Sequence, residues 1–341
     1  MWDRQSYEDT DYGLEPGESF EPEDVDEDDL IDLSLPHIMT VLGPISPEEL
    51  GVCLHHEHVL CDPIAVTQHE PDYRLDNLTN AQIDLEAYLT VGGRGIVDCS
   101  PRDYGRDIDG LLLLAQRVPA HIIAVTGRHK DLHASRMANA LDIDALGAEY
   151  TAELQSGAGE LRARPGVIKF GTSLDEITPV EEAAVRAAAR ASIATGTPIT
   201  THTEAGTQAL QQLELLGEEG VDPGRVIIGH LDRKLEWDYL VEVLQTGAFV
   251  SFDQIGKPQY GVDEDKAAMI VRLAEAGFGE QLLISQDFAR KSLLMSYGGS
   301  PGPTYLMEQF TLMLMEAGAS ALFVRTLLVD NVARALTIRS R

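Results

Sequence analysis

One unit repeats along this chain. A short β-branched apolar run ends in a polar or glycine tip, and an Ala/Leu/Glu-rich stretch with helical periodicity follows. The tips fall near His58, Asp98, Thr126, Lys169, His202, His230, Ser251 and Asp287. Each interval has room for one strand and a crossover helix, as parallel strands require. Eight such units with no break in composition predict a single α/β domain, a (β/α)8 TIM barrel over residues 36–341. A doubly wound open sheet is the alternative. It needs a glycine-rich phosphate turn after the first strand, where this chain has His55-His56-Glu57-His58. Among the crossovers, Glu181–Ala194 reads as a helix started by the cap pair Thr178-Pro179. Met39–Gly43 reads as a strand ahead of the barrel.

The formal charge of −30 is unevenly placed. Residues 1–32 hold 14 Asp and Glu against Arg4 alone, with few aliphatics and no periodicity. Residues 1–35 therefore read as a disordered acidic extension. The other residues still carry −17, which argues against nucleic acid or an anionic membrane as partner and leaves a small molecule. No apolar run reaches the length of a membrane span, and the N-terminus lacks the basic and apolar regions of a signal peptide. Cys53, Cys61 and Cys99 are too sparse for a disulfide framework, so a cytoplasmic location is expected.

Chemistry is concentrated at the tips. His56 and His58 are two apart, so on a strand both imidazoles face the same way and can meet one ion. His55 and Glu57 are then expected to face the barrel wall. Lys169 ends a Val-Ile run and admits three readings: a Schiff-base nucleophile made reactive by burial, a snorkelling side chain, or an amine that adds carbon dioxide to become an anionic bridging ligand. His202 and His230 are one βα unit apart and would stand side by side at the rim. Asp287 ends the last run, where a carboxylate can bind a metal and move the proton of a metal-bound water.

The stretches Thr40-Val41-Leu42-Gly43-Pro44-Ile45, His56-Glu57-His58, Ala124-Val125-Thr126-Gly127, Val167-Ile168-Lys169, Thr201-His202-Thr203 and Ile228-Gly229-His230-Leu231-Asp232 make the chain resemble the phosphotriesterase family of the amidohydrolase superfamily. The resemblance implies a binuclear centre: His56, His58 and Asp287 on the buried metal, His202 and His230 on the exposed one, and a carbamylated Lys169 with a hydroxide between them. Zinc is the expected ion, with manganese and cobalt as alternatives, and a homodimer is the expected assembly. Members divide by substrate among organophosphate triesters, acyl-homoserine lactones, phosphorylated sugar lactones and N-acyl amides. Lys257 after the seventh tip, Arg290, Lys291 and Tyr297 after the eighth, and Arg128 after the third are the candidate substrate-binding residues. Cations there suit a phosphate or carboxylate, which makes a lactonase for a phosphorylated sugar lactone the leading expectation. A Schiff-base aldolase using Lys169, or a barrel that only binds, are the alternatives of another class.

Overall fold

The computed structural model describes residues 32–339, so residues 1–31 of the expected acidic extension lie outside the described part. The described chain opens with an antiparallel hairpin, β1 (Ile38–Thr40) against β2 (Gly43–Ile45). The single strand expected over Met39–Gly43 is thus two strands with a turn between them. The Thr40 hydroxyl donates to the Gly43 carbonyl at 2.7 Å and accepts from the Leu42 N–H at 3.2 Å, and Gly43 takes a φ of 126°. That backbone conformation suits glycine, which has no Cβ to clash.

Eight parallel strands follow: β3 (Cys53–Glu57), β4 (Gly95–Asp98), β5 (His121–Gly127), β6 (Val167–Thr172), β7 (Ile199–Thr203), β8 (Val226–Ile228), β9 (Phe249–Phe252) and β10 (Leu282–Ile284). Each pairs with its sequence neighbours. The seam between β3 and β10 closes differently. The Asp287 N–H donates to the His56 carbonyl at 2.9 Å, and the Ser285 hydroxyl contacts both backbone groups of His56 at 3.1 Å. The buried Glu57 carboxylate accepts from Ser285 Oγ, Gln286 N and Phe288 N at 2.7, 2.8 and 2.9 Å. The result is a TIM-type α/β barrel, sealed by a side chain where the strand ladder stops.

The packing has two apolar layers. Cys53, Val97, Ile123, Val125, Val167, Ile227 and Leu283 cluster with Ile38 and Leu50. Leu54, Ile96, Ile122, Ile168, Phe170 and Val250 pack with the helices. Alternate residues of one strand thus enter different clusters, as the period of two requires. The helix Pro179–Thr195 shows how the sequence sets its own boundaries. Thr178 and Glu181 form a reciprocal capping box, Pro179 occupies the first turn, and Gly196 ends the helix in the left-handed region. Its buried face is Ala183, Ala184, Ala187, Ala188 and Ala191, small enough for close approach. A leucine at Ala187 would overpack it by about 1–3 kcal/mol. Among the described residues no helix is long and apolar enough to cross a membrane.

Candidate metal centre

The tips converge because every strand of a parallel barrel points the same way. Two groups of side chains among the described residues are placed to hold an ion: His56, His58 and Asp287, and His56, His230 and Asp253. His58 Nε2 lies 3.2 Å from Asp287 Oδ1, and His56 Nε2 lies 4.0 Å from the same oxygen. His202 Nδ1 and His230 Nε2 face each other at 2.9 Å. Lys169 Nζ lies 2.9 Å from His56 Nε2 and donates to the Thr201 carbonyl at 3.2 Å. The six residues expected at a metal centre are therefore brought together, from five strands and the turns that follow them.

Each imidazole has one nitrogen held and the other turned to the common floor. Asp253 lies 2.9 Å from His56 Nδ1 and 2.7 Å from His230 Nδ1. Ser100 Oγ lies 2.7 Å from His58 Nδ1, and Glu204 Oε2 lies 3.2 Å from His202 Nε2. This is how a carboxylate or hydroxyl orients a metal-ligating histidine. For that reason Asp253 reads as the group that orients two imidazoles rather than as a ligand of a further ion. Burial, with the nearby Lys169 amine second, holds His56 well below the usual imidazole range, and burial pushes His202 down to about 3. Neutral imidazoles are the form that binds metal. Burial also lowers the Lys169 amine, favouring the neutral form a carbamate requires. Burial pushes Asp287 upward, but Lys257 and His58 outweigh it and keep the carboxylate ionised. A cluster of neutral imidazoles beside an ionised carboxylate is a donor set that fits divalent metal.

Backbone strain marks the same place. His230 and Asp287 adopt φ of 63° and 49°, in the left-handed region that non-glycine residues rarely enter. Gly127, at φ 114°, has no room for a side chain: an added Cβ would sit 1.9 Å from the Lys169 carbonyl oxygen.

Three sequence expectations need correction. Lys169 does not end its strand, because β6 runs on to Thr172 and leaves the amine below the rim. His55 does not face the barrel wall. The register of β3 on β4 shifts between Leu54 and Glu57, and His55 Nε2 lies 3.2 Å from the Ser251 hydroxyl, which itself donates to Asp253 at 2.8 Å. Of the cations expected around the substrate, only part reaches the cavity. That cavity, of about 300 Å³, is lined by His56, His58, His202, His230 and Asp287 below and by Tyr73, Lys130, Arg233, Lys257, Tyr260 and Arg290 around its side. Lys257 donates to Asp287 Oδ2 at 2.8 Å and to the Asp287 carbonyl. Arg290 lies over the Tyr73 ring at 4.0 Å, bonds its hydroxyl, and reaches Glu70 at 3.2 Å. Arg128 is instead buried in a two-pronged bond to Glu149 at 3.0 and 2.9 Å. Lys291 lies 5.2 Å from the Tyr297 ring centre, and neither residue lines this cavity. Tyr297 borders a smaller apolar pocket with Leu85, Tyr88 and Leu294.

Sequence reasoning placed Lys130 among the basic groups at this rim after the third tip, and the structure puts it on the cavity wall; it missed Asp253, Glu204 and Arg233. Asp253 had a signal: it is two residues past Ser251, on the same strand face. Glu204 had none. It binds Lys130 through Oε2 and accepts from Arg233 at 3.0 Å through Oε1, and Arg233 in turn stacks on Tyr260 at 4.4 Å.

The sequence profile of the phosphotriesterase family matches residues 36–336. The chain belongs to that family. It is a family of binuclear metal hydrolases, and this member carries the histidine and aspartate groups to hold metal. The phosphotriesterase homology protein of Escherichia coli is 33% identical over 84% of this chain and 98% of its own length. A phospho-furanose lactonase of Mycoplasmopsis agalactiae is 29% identical over 86% of this chain and 89% of its own. The crystal structure of a lactonase from Listeria monocytogenes superposes with a TM-score of 0.85 at 34% identity, covering 89% of this chain and 100% of that one. The chain is accordingly a hydrolase.

Proposed function

We propose that this hydrolase is a lactonase that opens a small phosphorylated sugar lactone. In this reading His56, His58 and Asp287 would hold one divalent ion, His202 and His230 would hold a second, and Lys169 as its carbamate would add an anionic oxygen ligand. Such a pair of ions, zinc in the first instance, supplies a Lewis acid and an ionised water. The chain's own groups do the rest. Asp253, Ser100 and Glu204 fix the imidazoles. Asp287 Oδ accepts the proton released on attack and returns it to the departing ring oxygen. Gln254 and Lys257, each 2.8 Å from Asp287 Oδ2, hold that carboxylate in place. The three cysteines are buried free thiols, which supports the proposed cytoplasmic setting.

The observation that carries the substrate assignment is the cavity wall. In a strongly acidic chain it gathers Lys130, Arg233, Lys257 and Arg290 around one opening, against Glu70 and Glu204 on the same wall. A phosphorylated lactone has its reactive carbonyl at one end and a dianion at the other, and the cavity offers the matching arrangement. The related Escherichia coli protein supports this: its crystal structure holds phosphate in the active site, with a TM-score of 0.79 and 32% identity over 84% of this chain and 99% of that one. The same wall also suits an anionic N-acyl amide. An N-acetyltaurine hydrolase of Xenopus tropicalis is 25% identical over 89% of this chain and 98% of its own. A hydrolysis screen of the metal-loaded protein separates the readings. It should include phosphorylated and unphosphorylated sugar lactones, acyl-homoserine lactones, N-acyl amino acids and aryl phosphotriesters. The phosphorylated lactones are expected to give the highest kcat/KM, and preference for any other class replaces the assignment.

A further inference from the structure

Beneath the turn after β9 lies a buried charge cluster with no place in the chemistry above. Lys266, on the helix Asp263–Leu273, is fully buried. Its Nζ donates to the Gln254 carbonyl at 2.7 Å and lies 2.9 Å from Asp263 Oδ1 and 3.9 Å from Asp232 Oδ2. Asp263 Oδ2 accepts from the Gly256 N–H at 2.8 Å and the Tyr305 hydroxyl at 3.0 Å. Asp232 Oδ2 accepts from the Gln254 N–H at 2.8 Å. Three side chains thereby satisfy both backbone groups of Gln254 and the N–H of Gly256. Backbone groups shut off from water need such partners.

Gln254 and Lys257 are the residues of this turn that touch Asp287. An apolar packing of similar volume would stabilise a protein core as well as a buried lysine between two carboxylates does, so stability alone does not explain the cluster. The chain has six lysines, and Lys169, Lys257 and Lys266 are all buried. We propose that Lys266, with Asp263 and Asp232, is a positioning unit for the 254–257 turn, setting where the Lys257 ammonium stands between Asp287 and the substrate. Through Lys257 it sets the enzyme's selectivity for an anionic substrate. The selectivity part of the proposal rests on the anionic-substrate reading, whereas the coupling of Lys266 to Lys257 is tested independently of it.

The test compares Lys266→Met, Lys257→Met and the double variant in the full-length, metal-loaded protein. The readouts are kcat and KM on a phosphorylated lactone and its unphosphorylated counterpart, together with the melting temperature. Lys266→Met is expected to lower kcat/KM on the phosphorylated lactone about tenfold, chiefly through KM. The double variant should fall no further than Lys257→Met alone, because residues acting through one another are non-additive. That non-additivity is read on either substrate. Additive losses, or a loss in kcat that merely follows a drop in melting temperature, overturn the proposal. If Lys266→Met does not fold, Lys266→Met/Asp263→Asn removes the ammonium with its nearest carboxylate and carries the same comparison. A wrong substrate assignment has a different signature: Lys257→Met then costs both lactones equally, while non-additivity with Lys266→Met persists.

Discussion

The floor and the wall of the cavity are built by opposite means. Floor groups stand at or near the ends of rigid parallel strands, and three of the four histidines are held by fully buried groups: Asp253 for His56 and His230, Ser100 for His58. Wall groups stand on loops, and their cations are paired with acids or aromatic rings from other loops. Arg290 meets Glu70 and Tyr73, while Lys130 and Arg233 share Glu204. A strand end fixes a side chain's direction from its position in the run. A loop leaves that direction to its partner. Arg128 and Lys130 are two residues apart after the same strand, yet Glu149 draws Arg128 into the protein while Lys130 lines the cavity. The floor is therefore a property of the fold, and the wall a property of particular pairings.

If the floor works as a unit, the largest loss comes from its centre. Lys169→Ala, or chelation of the metal, should take hydrolysis to near background on every substrate, with metal content falling alongside. A Lys169→Ala enzyme that keeps both its metal, measured by elemental analysis, and its turnover would remove the bridge from the scheme. One step out, Asp253→Asn should cost about 10- to 100-fold in metal affinity or activity, the usual scale for a group that orients a histidine ligand. Metal titration checks it, and an unaltered affinity would mean that the imidazoles hold their tautomers unaided.

On the wall, losses should depend on the substrate. Arg290→Ala is expected to lower kcat/KM on a phosphorylated lactone relative to its unphosphorylated counterpart. A charged hydrogen bond to phosphate, about 1.5–3 kcal/mol, corresponds to about tenfold to a hundredfold in that ratio. Equal losses on both would turn Arg290 into a support for its loop. Tyr73→Phe removes only the hydroxyl that Arg290 contacts, and a neutral partner of this kind contributes about 0.5–1.5 kcal/mol, a few-fold in the same ratio. The smallest kinetic effect is expected at Arg128. Arg128→Met should lower the melting temperature by breaking the Glu149 pair while leaving the selectivity ratio unchanged. A shift in that ratio would return Arg128 to the substrate site.

The sequence by itself determined the barrel and most of its floor. Eight apolar runs, spaced by crossover helices, have few other ways to bury themselves. A histidine, lysine or aspartate at or near the end of such a run is carried to one rim wherever it lies in the chain. That is why residues from His56 to Asp287 could be grouped from their order alone. Tertiary structure decided what pattern does not encode. A register shift in β3 brought His55 and the adjacent His56 to the same inner side, and Glu57 closed a seam that no ladder spans. Asp253 became the common partner of two histidines because β9 lies beside β8 and its side chains face β3 across the barrel. Which cations line the cavity was settled by Glu149, Glu204 and Glu70. Strand position depends on a local period that sequence displays. Pairing between loops depends on distances between residues far apart in the chain, and these exist only once the barrel has closed.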